Sequence, residues 1–92
     1  MFILLNTNKR IALKEKCLRD EMYVASIRFL KNNNKKTFKF KKDLYSLLDN
    51  YLRTSGICNP EIHLSKDLGT AKTIINNAIK DNYLILEVKK NL

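Results

Sequence analysis

His63-Leu64-Ser65-Lys66-Asp67-Leu68-Gly69-Thr70-Ala71-Lys72-Thr73-Ile74-Ile75-Asn76-Asn77-Ala78-Ile79 is the stretch whose reading decides the fold. The Asn59-Pro60 pair before it marks a helix start. Asn accepts a bond from a free first-turn amide, and Pro fits the first helical position, where no amide donor is needed. The pattern predicts a short helix over Pro60–Leu68, anchored by Leu64 and Leu68, and a stop at Gly69. A second helix, capped by Thr70, then runs from Ala71 to about Asp81. Gly69 is expected to take a positive φ and turn the chain sharply. Ser65 is expected where the two helices cross closely and only a small side chain fits. Ile74, Ile75, Ala78 and Ile79 make the inward face of the second helix. Thr70, Lys72, Thr73, Asn76, Asn77 and Lys80 are left outward. Asp81-Asn82 turns the chain into a β-rich run, Tyr83–Val88.

Upstream, Asp43–Thr54 carries the cleanest helical periodicity, with Leu44, Leu47, Leu48, Tyr51 and Leu52 on one continuous face. Asp43 at its start and Arg53 at its end both suit the helix dipole, and Gly56 offers a left-handed stop. Before it, Thr37-Phe38-Lys39-Phe40 alternates as a half-buried strand does, which sends both Phe side chains to the core. Asn32-Asn33-Asn34-Lys35-Lys36 is a polar loop. A long N-terminal helix is predicted from a cap at Thr7 or Asn8 to about Lys31, with Ile11, Leu18, Met22, Ala25 and Phe29 at helical spacing. Leu13, Cys17, Val24 and Ile27 widen that stripe, and so wide an apolar face must be covered. Its cover is either the rest of the domain or a second copy of the chain. Met1–Leu5 reads as a buried or edge strand.

Ninety-two residues make one domain (1–42 an N-terminal strand, long helix and basic loop; 43–92 the helical unit with its last strand). The fold class expected is mainly α with a small β-sheet. An apolar fraction of 45% fits a folded chain. Eighteen Lys and Arg oppose nine Asp and Glu, a net +9 that points to a polyanionic partner. The surplus is lopsided: residues 1–54 carry 13 basic and 5 acidic side chains, residues 55–92 only 5 and 4. Arg28, Lys31, Lys35, Lys36, Lys39, Lys41 and Lys42 follow one another without an acid between them. No apolar run approaches the ~20 residues that span a bilayer. Cys17 and Cys58 read as reduced thiols, and the chain as soluble and cytoplasmic.

Residues 59–88 resemble the helix-turn-helix unit of winged helix-turn-helix DNA-binding proteins. The resemblance implies that the helix Ala71–Asp81 enters the major groove of double-stranded DNA. Asn76 and Asn77 would pair with adenine, Thr70 and Thr73 touch thymine methyls or phosphates, and Lys72 and Lys80 serve guanine or phosphate. A second register takes Asp43–Thr54 as the first helix of the motif and 55–69 as an insertion; it keeps the same reading helix. With so few residues after Val88, a full two-stranded wing does not fit, so Tyr83–Val88 is expected to pair with Thr37–Phe40 or Phe2–Leu5.

The basic tract, with Lys66, Lys89 and Lys90, is assigned to phosphate, which sets affinity and register but carries no sequence information. No catalytic constellation is present: His63 is the only histidine, Gly56 and Gly69 form no phosphate-cradling loop, and no cofactor, metal or small-molecule substrate is implied. The expectation is therefore a DNA-binding protein and not an enzyme, either a small regulator or an accessory factor of plasmid or phage transfer, replication or partition. Homodimerisation is possible on two-fold sites, and no membrane partner is expected. The alternative is a protein-directed inhibitor or adaptor on the same scaffold, such as a phage anti-defence protein.

Overall fold

The computed structural model describes residues 1–11 and 17–89. Phe2–Asn6 forms strand β1, which lies in the centre of a three-stranded antiparallel sheet. On one side it meets β2 (Thr37–Phe38), with Phe2 opposite Phe38 and Ile3 opposite Thr37. On the other it pairs over its whole length with β3 (Leu84–Val88), from Phe2 opposite Val88 to Asn6 opposite Leu84. Strand period sends Leu4, Phe38 and Leu84 into the core, while Ile3, Leu5 and Ile85 occupy the outer face.

Helix α1 (Leu18–Lys31) starts later than the periodicity implied. The expected cap, Thr7, is used otherwise: its amide donates to the Tyr83 carbonyl at 3.4 Å and its hydroxyl donates to the Asn82 carbonyl. The chain from Thr7 therefore follows the turn into β3 and is not helical over the described residues 7–11. Leu13, placed on the helical stripe, lies outside the described residues. Met22, Val24, Ser26, Ile27 and Leu30 are buried, and the helix packs on the other helices and the sheet. Phe29 stacks on Tyr51 with ring centroids 4.1 Å apart. Of the two covers considered for this apolar face, the domain itself supplies one.

Helix α2 (Lys41–Thr54) begins two residues before Asp43, whose carboxylate accepts a bond from the Phe40 amide at 3.2 Å. Leu44, Leu48 and Leu52 are fully buried one turn apart. Gly56 takes φ of 77°, the left-handed stop its sequence position indicated.

The two Phe residues of the basic tract do not share a face: Phe38 is 6% exposed and Phe40 58%. The strand ends at Phe38, and the bend into α2 breaks the alternation that would have carried Phe40 inward.

The segment quoted first folds differently from its reading in three respects. The helix expected over Pro60–Leu68 is a single turn, α3 (Pro60–His63), capped as expected by Asn59, whose side chain accepts from the Glu61 amide at 3.1 Å. The chain is extended at Leu64, which frees the following residues to reach the start of α4 (Gly69–Lys80). There the Ser65 hydroxyl accepts from the Thr70 amide at 3.0 Å, and the Asp67 carboxylate accepts from the Gly69 amide at 3.0 Å. The cap is thus built by Ser65 and Asp67, and Thr70 lies inside the first turn.

The left-handed residue is Leu68, at φ 66°, and not Gly69. Gly69 leaves room for the cap instead: a Cβ there would stand 2.9 Å from Asp67 Oδ1 and 3.1 Å from Ser65 Oγ, so those side chains would have to shift. Ala71, Ile75 and Ala78 are buried against the core, with Ile74 and Ile79 half-buried beside them. Among the helices, α4 makes its most extensive contact with α2.

Candidate nucleic-acid interface

The sheet register decides where the charges stand. Phe2, Phe38 and Val88 lie side by side at one end of the sheet. Lys39 and the first two residues of α2, Lys41 and Lys42, follow Phe38 directly, and all three are exposed. Lys89 joins them, because its amide donates to the Met1 carbonyl at 2.8 Å as β3 runs out beside β1. Lys41 Nζ lies 5.6 Å from the centre of the Phe2 ring. Two stretches distant in sequence thus put four lysines at one end of the sheet. The nearest acids in sequence are Asp43, whose carboxylate accepts from the Phe40 amide, and Glu87, two residues before Lys89.

Lys35 and Lys36 are exposed on the loop leading into β2. That loop is held by its backbone: Lys35 donates to the Leu4 carbonyl at 2.6 Å, and the Lys36 carbonyl accepts from Leu4 at 3.0 Å.

Three other residues of the expected phosphate set stand apart. Lys31 is half-buried at the opposite end of the sheet, where its Nζ donates to the carbonyls of Tyr83 at 2.9 Å and Thr7 at 3.4 Å. These bonds tie it to the scaffold. Arg28 is exposed one turn earlier on α1, and Lys66 is exposed in the loop before α4. Lys90 lies outside the described residues.

On α4, Lys72, Asn76 and Lys80 form one exposed column at four-residue spacing, and Thr73 and Asn77 form a second. The second column borders an open groove of about 980 Å³ between α4 and the start of α1. Met22, Tyr23, Ile74, Ser65 and the acids Asp20, Asp67 and Asp81 also line it. Thr70 is half-buried with its hydroxyl accepting from the Ser65 amide at 3.3 Å, so it belongs to the cap more than to the outward face.

The cap is itself supported from α2. Asp49 is 8% exposed and holds Arg53 at 2.7 Å, and Arg53 donates onward to the Ser65 carbonyl at 3.1 Å. The Gly69 amide, foremost, and the Ser65 hydroxyl hold the Asp67 carboxyl below its ordinary range. At the other end of the groove, burial and a 2.5 Å bond donated to Asp81 push the Tyr23 phenol well above its ordinary value.

His63 is exposed, and its Nδ1 lies 3.2 Å from the Asn59 amide nitrogen and 3.1 Å from the Asn59 carbonyl oxygen. Among the described residues no cluster of His, Cys, Asp or Glu is arranged to hold a metal ion, and Cys17 and Cys58 are unbridged. None of their helices is long and apolar enough to cross a membrane. Phe40 is a residue of this surface that alternation pointed inward, and only the short span of β2 distinguishes it from Phe38.

No protein-family model, no curated protein and no solved structure matches this chain.

Proposed function

We propose that this protein binds double-stranded DNA, gripping phosphates with Lys39, Lys41, Lys42 and Lys89 at one end of the sheet. The observation that carries the reading is the convergence of these four exposed lysines from two separate stretches of chain. An ammonium group held in water beside like charges costs the folded state self-repulsion, and a phosphate backbone relieves it. Lys35 and Lys36 extend the grip along β2.

A winged helix-turn-helix-like arrangement is the finer part of the proposal. What supports it is the order of α1, β2, α2, α4 and β3, with β1 lying along β3 in the place of a second wing strand. In this register α2 and α4 are the two helices of the motif, and residues 55–68 are the insertion between them. The exposed column Lys72, Asn76 and Lys80, with Asn77 beside it, is then the candidate for reading base edges.

The test is a mobility-shift titration on random duplex and on duplex flanking the gene, at two salt concentrations. Binding should weaken steeply with salt, with a log–log slope of ~0.9 per phosphate contacted. A slope near zero, or a stable complex with a protein in place of DNA, overturns the proposal.

A further inference from the structure

Phe40 carries an aromatic ring that the fold does not use. The ring is 58% exposed, whereas Phe38 completes the core at 6%. Phe40 occupies the N-cap of α2, but the cap is made by its backbone: the amide donates to Asp43 Oδ2 at 3.2 Å and the carbonyl accepts from the Asp43 amide at 3.0 Å. Ser, Thr, Asp or Asn would serve that position better, since each adds a side-chain acceptor for a free helix amide.

The surroundings of the ring are cationic. Lys39 Nζ lies 5.5 Å from its centroid, and Lys41 and Lys42 follow it on the first turn of α2. None of these lysines is held in an ion pair among the described residues. An exposed ring among ammonium groups outside any ion pair can meet both parts of a nucleotide, its flat apolar face and its anion.

Paired bases inside a duplex already stack on one another, and a side chain that wedges between them must first separate the step. An unpaired base has lost that stacking already and presents a free face. From this we propose that Phe40 stacks on an unpaired base, so that the preferred ligand of the basic end is duplex DNA continued by a single strand. The inference rests on the DNA-binding reading above and names the form of DNA. An anionic membrane surface also attracts lysines beside an aromatic ring. It is the weaker fit, because this tract spans a strand end, a bend and only the first turn of a helix, and does not run along one amphipathic helix.

The chain contains no Trp, so Phe40→Trp places a single indole at the site. Its fluorescence should be quenched by a duplex carrying a tail of about ten thymidines, a length within the usual single-strand site size. A blunt duplex of the same sequence should quench it far less. Phe40→Ala should bind the tailed duplex about tenfold more weakly, with blunt-duplex affinity, salt slope and melting temperature unchanged. Equal binding of tailed DNA by wild type and Phe40→Ala, with blunt binding intact, overturns the stacking role and leaves the DNA reading standing. Loss of both DNA forms in the wild type overturns the DNA reading itself. An indole blue shift on phosphatidylserine vesicles, with no response to tailed DNA, also overturns the inference and assigns the ring to a lipid surface.

Discussion

At the two ends of one small sheet, lysine side chains do different work. Where Asn6 meets Leu84, Lys9 Nζ donates to the Asp81 carbonyl at 2.7 Å and Lys31 Nζ to the Tyr83 carbonyl at 2.9 Å. These ammonium groups tie the N-terminal stretch and α1 to the turn before β3. Where Phe2 meets Val88, Lys39, Lys41, Lys42 and Lys89 are exposed, and among the described residues Lys39 and Lys41 have their ammonium groups over the rings of Phe40 and Phe2. A lysine bonded to carbonyls keeps its charge but is held in place as part of the scaffold, while one in water can move its charge onto a partner. Net charge counts both kinds alike.

Removing the free set should have the largest effect. Changing Lys39, Lys41, Lys42 and Lys89 together to Ala should lower the log–log salt slope of duplex binding by about 3–4, since each phosphate contact contributes ~0.9. Specific and random DNA should weaken together, and the melting temperature should hold. A site preference that collapses while random binding persists would make this end a reader of bases.

Asn76→Ala and Asn77→Ala address the other candidate surface. Each is expected to leave the fold intact and to cost about 1–3 kcal/mol of discrimination at particular base pairs, measured by competition between the preferred site and its variants. If neither changes site preference, α4 is not the reading helix.

The scaffold side of the comparison has smaller effects, on the order of 1 kcal/mol. Lys31→Ala removes a charged donor from the Tyr83 and Thr7 carbonyls and should cost about 1 kcal/mol of stability, with DNA affinity unchanged. Gly69→Ala should cost a similar amount, ~1 kcal/mol, by pushing Asp67 and Ser65 off the first amides of α4. Denaturant unfolding of both variants checks these values. An unchanged midpoint for Lys31→Ala would return that lysine to the free set.

The smallest effect is expected in acid. The carboxyl of Asp67 sits below its ordinary range in the folded chain, because the Gly69 amide and the Ser65 hydroxyl favour the charged form. Its contribution is therefore complete above the ordinary carboxylate pKa of about 4 and is lost as pH falls through the lower folded value. Asp67→Asn should consequently flatten the fall of melting temperature between neutral pH and about pH 3. Identical slopes for the two proteins would show that the cap does not depend on this charge.

Helical periodicity made α2 legible in the sequence, because Leu44, Leu48 and Leu52 recur one turn apart, and most of the inward face of α4: Ile75 and Ala78 are buried, Ile74 and Ile79 half-buried, and Ala71, which the pattern did not single out, completes the stripe. The start of α1 was not legible. Thr7 has the chemistry of a cap, and only the tertiary partner Asn82 shows that its hydroxyl is used elsewhere. The segment 64–69 misled for a related reason. Ser65, Asp67 and Gly69 suit a helix followed by a glycine turn as well as a loop that caps the next helix, and Arg53 reaching Ser65 from α2 favours the second. The phosphate candidates were recognisable as a class, but not as a place. Lys89 joins Lys41 only through the register of β1 with β3, and Lys31 leaves the set because its carbonyl partners lie more than twenty residues away in sequence.

In the DNA-binding proposal the exposed lysines, and not the groove between α1 and α4 that Arg19 lines together with Asp20, Asp67 and Asp81, form the surface that meets DNA. Amide chemical-shift mapping tests it most directly, with the isotope-labelled protein titrated by random-sequence duplex at low salt. The account expects the largest shifts at Lys36, Lys39–Lys42 and Lys89, with α4 responding along Lys72, Asn76 and Lys80 only when a preferred sequence is used. Shifts confined to the groove residues Tyr23, Ser65, Asp67 and Asp81, with the lysine end unmoved, would contradict it.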